Sequence, residues 1–182
     1  QQVPHGKVSY RYYYSKACGI ERPLCVYTPA GYNPNGNEKL PVLYLLQGTE
    51  TYESWFKVGQ INNVLDNMIA KGLAKRMIVV MSEYNPYPEL IAQGKATQDN
   101  SDDLTLSNKD LLDDIIPFIE KNYNVLKDAD NRAIAGTTRS GRQALTMAFS
   151  NPDKFHYVAA FAPTQINGQN NEIDANFRNG TF

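Results

Sequence analysis

The stretch Asn131-Arg132-Ala133-Ile134-Ala135-Gly136-Thr137-Thr138-Arg139-Ser140-Gly141-Arg142 decides how this chain is read. A short apolar run of β type ends at Gly136, small or polar residues follow, and a helix-compatible segment, Gln143 to Ser150, begins at once. Strand, sharp turn and helix in that order are the setting of a nucleophile elbow, whose usual pattern is G-x-S-x-G. Small residues flank the nucleophile there because the backbone is strained and passes close to its neighbours. Gly136 is in place, but Thr138 fills the nucleophile slot and Ser140 the second glycine slot. An ordinary strand-to-helix turn is the other reading of these residues.

Working outward, strands alternate with helices from residue 41 onward. Pro41 to Leu46 and Met77 to Met81 are continuous apolar runs, as expected of strands buried on both faces. Between them, Ile61, Val64, Leu65, Met68, Ile69 and Leu73 recur at helical spacing and predict a helix over Gln60 to Leu73. A second helix is expected over Asn108 to Tyr123, with Leu111, Leu112, Ile115, Ile116 and Ile119 inward, and a last strand over Tyr157 to Ala162. Before residue 41, Lys7 to Ser15 and Leu24 to Tyr27 predict an antiparallel pair. Ser82 to Leu106 is a long polar segment, and a segment of that length in a compact domain is usually functional or mobile. From Thr164 the chain is polar and rich in Asn and Gln.

The expected architecture is α/β, a three-layer sandwich with a mostly parallel sheet and antiparallel strands at its N-terminal edge. Sites in such sheets lie at the carboxyl ends of the strands. That rule gathers Gln47 to Glu50, Glu83 to Pro88 and Thr137 to Arg139 at one rim.

Composition narrows the classes of function. The 182 residues are 42% hydrophobic and 20% charged, with a net charge of −1, which gives no case for nucleic acid or an anionic membrane surface. No apolar run approaches the ~20 residues of a membrane span. The two histidines, His5 and His156, lack metal-ligand spacing, and neither G-x-G-x-x-G nor a P-loop occurs, so no metal or cofactor is expected. Cys18 and Cys25 flank a turn; a bridge and two buried thiols are both open. The first residues, Gln1-Gln2, are expected of a processed or trimmed chain.

Several stretches together resemble carbohydrate esterase family 1, the feruloyl and acetyl-xylan esterases of the α/β-hydrolase superfamily. They are Val3-Pro4-His5-Gly6, Val26-Tyr27-Thr28-Pro29-Ala30-Gly31-Tyr32, Pro41 to Leu46, Met77 to Met81, Asp110 to Pro117 and Asn131 to Gly136. The resemblance implies one α/β-hydrolase domain over residues 1–182, C-terminally truncated, with 164–182 as a polar tail. It also implies a secreted or periplasmic protein meeting xylan, or feruloyl and acetyl esters of plant cell-wall polysaccharide.

The departures fall where that family does its chemistry. His-Gly and small residues usually follow the strand ending at Leu46; here the segment reads Gln47-Gly48-Thr49-Glu50. The resemblance puts oxyanion-hole donors at Thr49 and Arg139, and a carboxylate at Glu50 would oppose the charge that the hole must stabilise. The chain order nucleophile, acid, histidine leaves His156 alone after Thr138, in a place where no catalytic residue is expected. Trp55, Tyr84 and Tyr87 are aromatic faces that suit sugar stacking or plain packing. The expectation is an impaired esterase-like domain that binds rather than cleaves, with Thr138 as a degenerate nucleophile. An active hydrolase using Thr138, its partners supplied elsewhere, is the alternative. A sheet edge left open at the last strand predicts a homodimer, an exchange of segments or a covering tail.

Overall fold

The computed structural model describes residues 3–47, 51–83, 85–97 and 104–164. Among them, six strands form one sheet. They are β1 (Lys7–Ser15), β2 (Ile20–Thr28), β3 (Val42–Gln47), β4 (Ile78–Glu83), β5 (Arg132–Thr137) and β6 (Tyr157–Phe161). Their order across the sheet is β1-β2-β4-β3-β5-β6. The pairs β1–β2 and β2–β4 are antiparallel, whereas β3–β4, β3–β5 and β5–β6 are parallel. This is the mostly parallel sheet with an antiparallel N-terminal edge that the alternation of apolar runs predicts. Parallel neighbours need crossover helices, and these cover both faces.

On one face pack α4 (Thr105–Asp110), a π-helical turn (Leu111–Ile115), α5 (Ile116–Asn122) and α6 (Arg139–Ser150). Their Leu111, Ile115, Ile119, Ala144 and Met147 meet Val42, Tyr44, Leu46, Val80 and Ile134 of the strands. On the other face lie α1 (Ser54–Lys57) and α2 (Ile61–Ala70) over Cys25, Tyr27, Leu45, Val79 and Met81. The short α3 (Tyr87–Ala92) occupies part of the segment expected to be loop and closes a small cluster of Cys18, Ile20, Tyr87 and Leu90.

One expectation needs correction, and two further points are filled in. The stripe of α2 is narrower than its spacing predicts: Val64, Met68 and Leu73 are exposed, and Asp66 is buried. The helix is turned so that the Asp66 carboxylate accepts from Tyr27 Oη at 2.7 Å and from the Gly6 N–H at 2.9 Å, with His5 Nδ1 at 3.0 Å. Satisfying a buried carboxylate outweighs burying Val64 and Met68 at the helix margin, and Leu73 lies past the helix, which ends at Ala70 rather than at Leu73. Second, Cys18 and Cys25 are free thiols, one in the cluster under α3 and the other under the α1–α2 layer. The strands around them do pair, but their register sets Cys25 opposite Tyr10, and Cys18 sits in the turn between them. Third, β6 is half exposed, with Tyr157 and Phe161 more than half accessible, because among the described residues it pairs only with β5. The expected tail, 164–182, lies outside the described residues from 165 onward.

Candidate active site

Strand β5 ends at Thr137 and α6 starts at Arg139, so Thr138 alone makes the turn. Its backbone lies at φ 53°, ψ −117°. Positive φ is a genuine outlier for a β-branched residue and costs of order 1–3 kcal/mol. Such strain persists only where the surroundings impose it, and they do so from several sides. The Thr138 N–H donates to the Phe161 carbonyl at 3.0 Å, while its own carbonyl accepts from the N–H groups of Thr164 and Arg142, each at 3.1 Å. Gly136 supplies the close approach: a Cβ there would stand 2.3 Å from the Ser140 carbonyl oxygen.

Ser140, in the second glycine slot, is fully buried. It is the second residue of α6, whose N-cap position is Thr138. Its Oγ accepts the Thr137 N–H at 3.0 Å and lies 3.0 Å from the Leu46 carbonyl oxygen and 2.9 Å from that of Thr137. One hydroxyl proton serves one of those carbonyls at a time. Leu46 also accepts the Trp55 indole N–H at 3.1 Å. The carbonyl near the end of β3 therefore gathers the elbow, β3 and α1 at one point. Spacing alone could not find this contact, since it joins residues 94 apart.

The Thr138 hydroxyl is buried and has no hydrogen-bond partner among the described residues. An acyl-transfer nucleophile needs a base within reach. Both histidines are engaged elsewhere: His5 Nδ1 with Asp66, and His156 Nδ1 with Asp130 at 2.7 Å. Asp130 and His156 precede β5 and β6 and so lie at the far end of the sheet from the elbow, about 20 Å of strand away.

Of the other residues singled out from sequence, Arg139 opens α6 directly after Thr138, where an oxyanion donor belongs in an elbow. Thr49 and Glu50 lie outside the described residues, as does Tyr84. Trp55 is half-buried and packs against the cluster of Leu45 and Met81. Tyr87 is buried beside Cys18 and Leu90, which leaves its ring no open face. Glu83, gathered at the rim by the strand-end rule but given no role there, ends β4 paired in register with Gln47. Burial pushes its carboxyl up, opposed by the charge of Arg22. Behind that row, Arg22 forms a buried ion pair with Asp110, which also accepts from Tyr13 Oη at 2.8 Å. The described residues hold no group of three or more metal-ligating side chains, and none of their helices is long and apolar enough to cross a membrane.

The elbow geometry and the strand order can be set against known proteins. The family model Esterase matches residues 15–177. A ferulic acid esterase of carbohydrate esterase family 1 from Anaeromyces mucronatus, solved with ferulic acid, superposes with a TM-score of 0.77 at 28% identity. The match covers 90% of this chain and 60% of that one. This chain belongs to carbohydrate esterase family 1. A curated relative of this family 1 chain, the endo-1,4-beta-xylanase/feruloyl esterase of Xylanibacter ruminicola, is 32% identical over 163 residues. Those residues make up 86% of this chain and 22% of the relative, so the chain spans under a quarter of that protein. The feruloyl esterase module of Clostridium thermocellum, solved with sinapinate, has a TM-score of 0.75 over 97% of this chain and 62% of its own. At 23% identity it speaks for the fold alone.

Proposed function

We propose that this family 1 chain binds feruloyl or acetyl esters of xylan at the elbow rim and turns them over poorly. The observation that carries the reading is Thr138. Its backbone has the strained turn of a reacting residue, yet its hydroxyl is buried without a partner among the described residues. A γ-methyl crowds a turn that serves serine elsewhere, and an unactivated hydroxyl is a weak nucleophile. The substitutions at Gln47 to Glu50 and the engagement of both histidines elsewhere support the same reading. The substrate class rests on the relatives, one named as a xylanase/feruloyl esterase and another solved with ferulic acid. With that substrate goes a secreted or periplasmic setting. The edge of β6 that is unpaired among the described residues, with Tyr157 and Phe161 exposed, is read as a homodimer contact.

The same unpartnered hydroxyl supports a second reading, an active hydrolase. A base supplied by residues outside those described, or by another chain, would find Thr138 Oγ1 already set in the elbow. Calorimetric titration with methyl ferulate, alongside an assay of its hydrolysis, separates the two. Binding without release of ferulate is the expected result. Hydrolysis abolished by Thr138→Ala would overturn it in favour of the second reading, and failure to bind would sink both.

A further inference from the structure

Strand β1 carries Tyr10, Tyr12 and Tyr14 at alternate positions, so their rings stand on one face of the sheet, about 6.6 Å apart along the strand. All three are open to solvent, at 46%, 62% and 64% exposure, whereas Tyr13 between them points the other way and is 4% exposed. Edge strands of soluble domains usually carry charge or proline to discourage pairing. On β1 the charges, Lys7 and Arg11, fall on the other face, and the three exposed tyrosines make a contact surface on theirs.

The register ties this row to the elbow. Tyr12 lies opposite Pro23, and Cys25 opposite Met81, so two residues further Pro23 falls level with Glu83. Glu83 pairs with Gln47, and Leu46 with Gly136, which brings Gln47 level with Thr137. Tyr12 and the residue before Thr138 therefore share one cross-sheet row, about 19 Å apart over four strand spacings. Tyr14 stands one step beyond the rim. The face is the one that α1 covers, and the side chains near α1 bridge the distance. Trp55 hangs from the Leu46 carbonyl at the elbow. Tyr52 packs against the cluster that contains Cys25, the cross-strand partner of Tyr10, and burial pushes its hydroxyl up, with the Glu53 carboxylate adding to that.

We propose that Tyr10, Tyr12 and Tyr14, flanked by Tyr52, form a platform for a neutral polysaccharide main chain whose esterified unit sits at the elbow. A tyrosine offers a flat apolar face with a hydroxyl at its rim, the complement of a sugar ring with C–H faces and an edge of hydroxyls. Regularly spaced rings suit a ligand with its own repeat. Of the charges beside the row, Glu53 and Lys57 pair at 2.8 Å, and Glu21, opposite Tyr14, is an exposed carboxylate that would repel an anion, so the surface suits a neutral ligand. The platform rests on the reading of a polysaccharide ester as substrate, but it can be tested apart from the elbow.

The experiment measures binding of soluble, unesterified xylan by affinity electrophoresis and of methyl ferulate by calorimetry. Wild type is compared with Tyr12→Ala, Tyr14→Ala, Tyr12→Phe and the Tyr10→Ala/Tyr12→Ala/Tyr14→Ala triple variant. Wild type should bind xylan, the triple variant about tenfold or more weakly, and each single Ala variant detectably more weakly. Tyr12→Phe should keep most of the affinity, and methyl ferulate binding should be unchanged throughout. The two single Ala variants, at the most exposed positions, decide the matter if the triple variant fails to fold. Equal xylan affinity in wild type and Ala variants, or no xylan binding by wild type, overturns the platform. So does a change of oligomeric state in place of a change of affinity, which would make the stripe a protein interface. Tyrosine-dependent xylan binding without methyl ferulate binding upholds the platform and overturns the reading of the elbow.

Discussion

Ser140 Oγ lies 3.0 Å from the Leu46 carbonyl oxygen, and through that contact the elbow after β5 is fastened to the end of β3. The same hydroxyl accepts the Thr137 N–H. Ser140→Ala removes both, leaving polar groups at a buried position without their partner, at a cost of about 1–3 kcal/mol. For a domain of this size Tm should fall by about 2–4 °C per kcal/mol, read by thermal denaturation. An unchanged Tm would mean that the serine merely fills the slot of a glycine.

Gly136 and Gly141 flank the turn but differ in what a methyl group would meet. At Gly136 it would strike the Ser140 carbonyl oxygen at 2.3 Å, whereas at Gly141 the nearest atom, the Gly136 carbonyl oxygen, is 3.2 Å away. Gly136→Ala should therefore be several-fold more destabilising than Gly141→Ala in denaturant melts. The reverse order would show that the turn is not built as described.

Asp66 fastens the N-terminal segment to α2. Asp66→Ala strands the Tyr27 hydroxyl and the Gly6 N–H, a loss of about 2–4 kcal/mol, whereas His5→Ala removes only an exposed partner and should cost less than about 1 kcal/mol. Chemical denaturation of the two variants checks the asymmetry. Equal losses would place the weight on the ion pair instead.

The two thiols should behave as buried and separate. Burial holds Cys25 up at about 11, with Glu53 adding to it, and raises Cys18 as well. Neither should be alkylated by iodoacetamide in the folded chain at pH 8, since only the thiolate reacts, and both should react after unfolding. Mass spectrometry under oxidising conditions should find no bridge. A disulfide, or rapid labelling of the native chain, would contradict the packing of β2.

What could be read from the sequence were the features that repeat along the chain. Pro41 to Leu46, Met77 to Met81 and Ala133 to Gly136 announce buried strands because a parallel strand is apolar on both sides. The glycine-led turn into a helix announces the elbow. Contacts between distant residues were out of reach. The inward turn of Asp66 depends on Tyr27 and Gly6, and the role of Ser140 on the Leu46 carbonyl, none of which its neighbours in sequence reveal. Tyr87 belongs to an aromatic-rich stretch of the rim, but α3 folds it inward against Leu90. The tyrosines of β1 were legible as a strand, though only the pairing of β1 to β5 through the sheet relates them to Thr138.

The most direct test of the central claim is release of ferulate from methyl ferulate by the 182-residue chain, by Thr138→Ala and by Thr138→Ser. Thr138 sits in a nucleophile's turn, but no base reaches it among the described residues. Turnover should therefore not exceed the residual enhancement of about 10³–10⁴-fold over water that binding and oxyanion contacts alone can supply. Thr138→Ala should leave that residue unchanged, and Thr138→Ser should restore little, since serine brings no base. Robust turnover by Thr138→Ser, or wild-type hydrolysis that Thr138→Ala abolishes, would contradict the account.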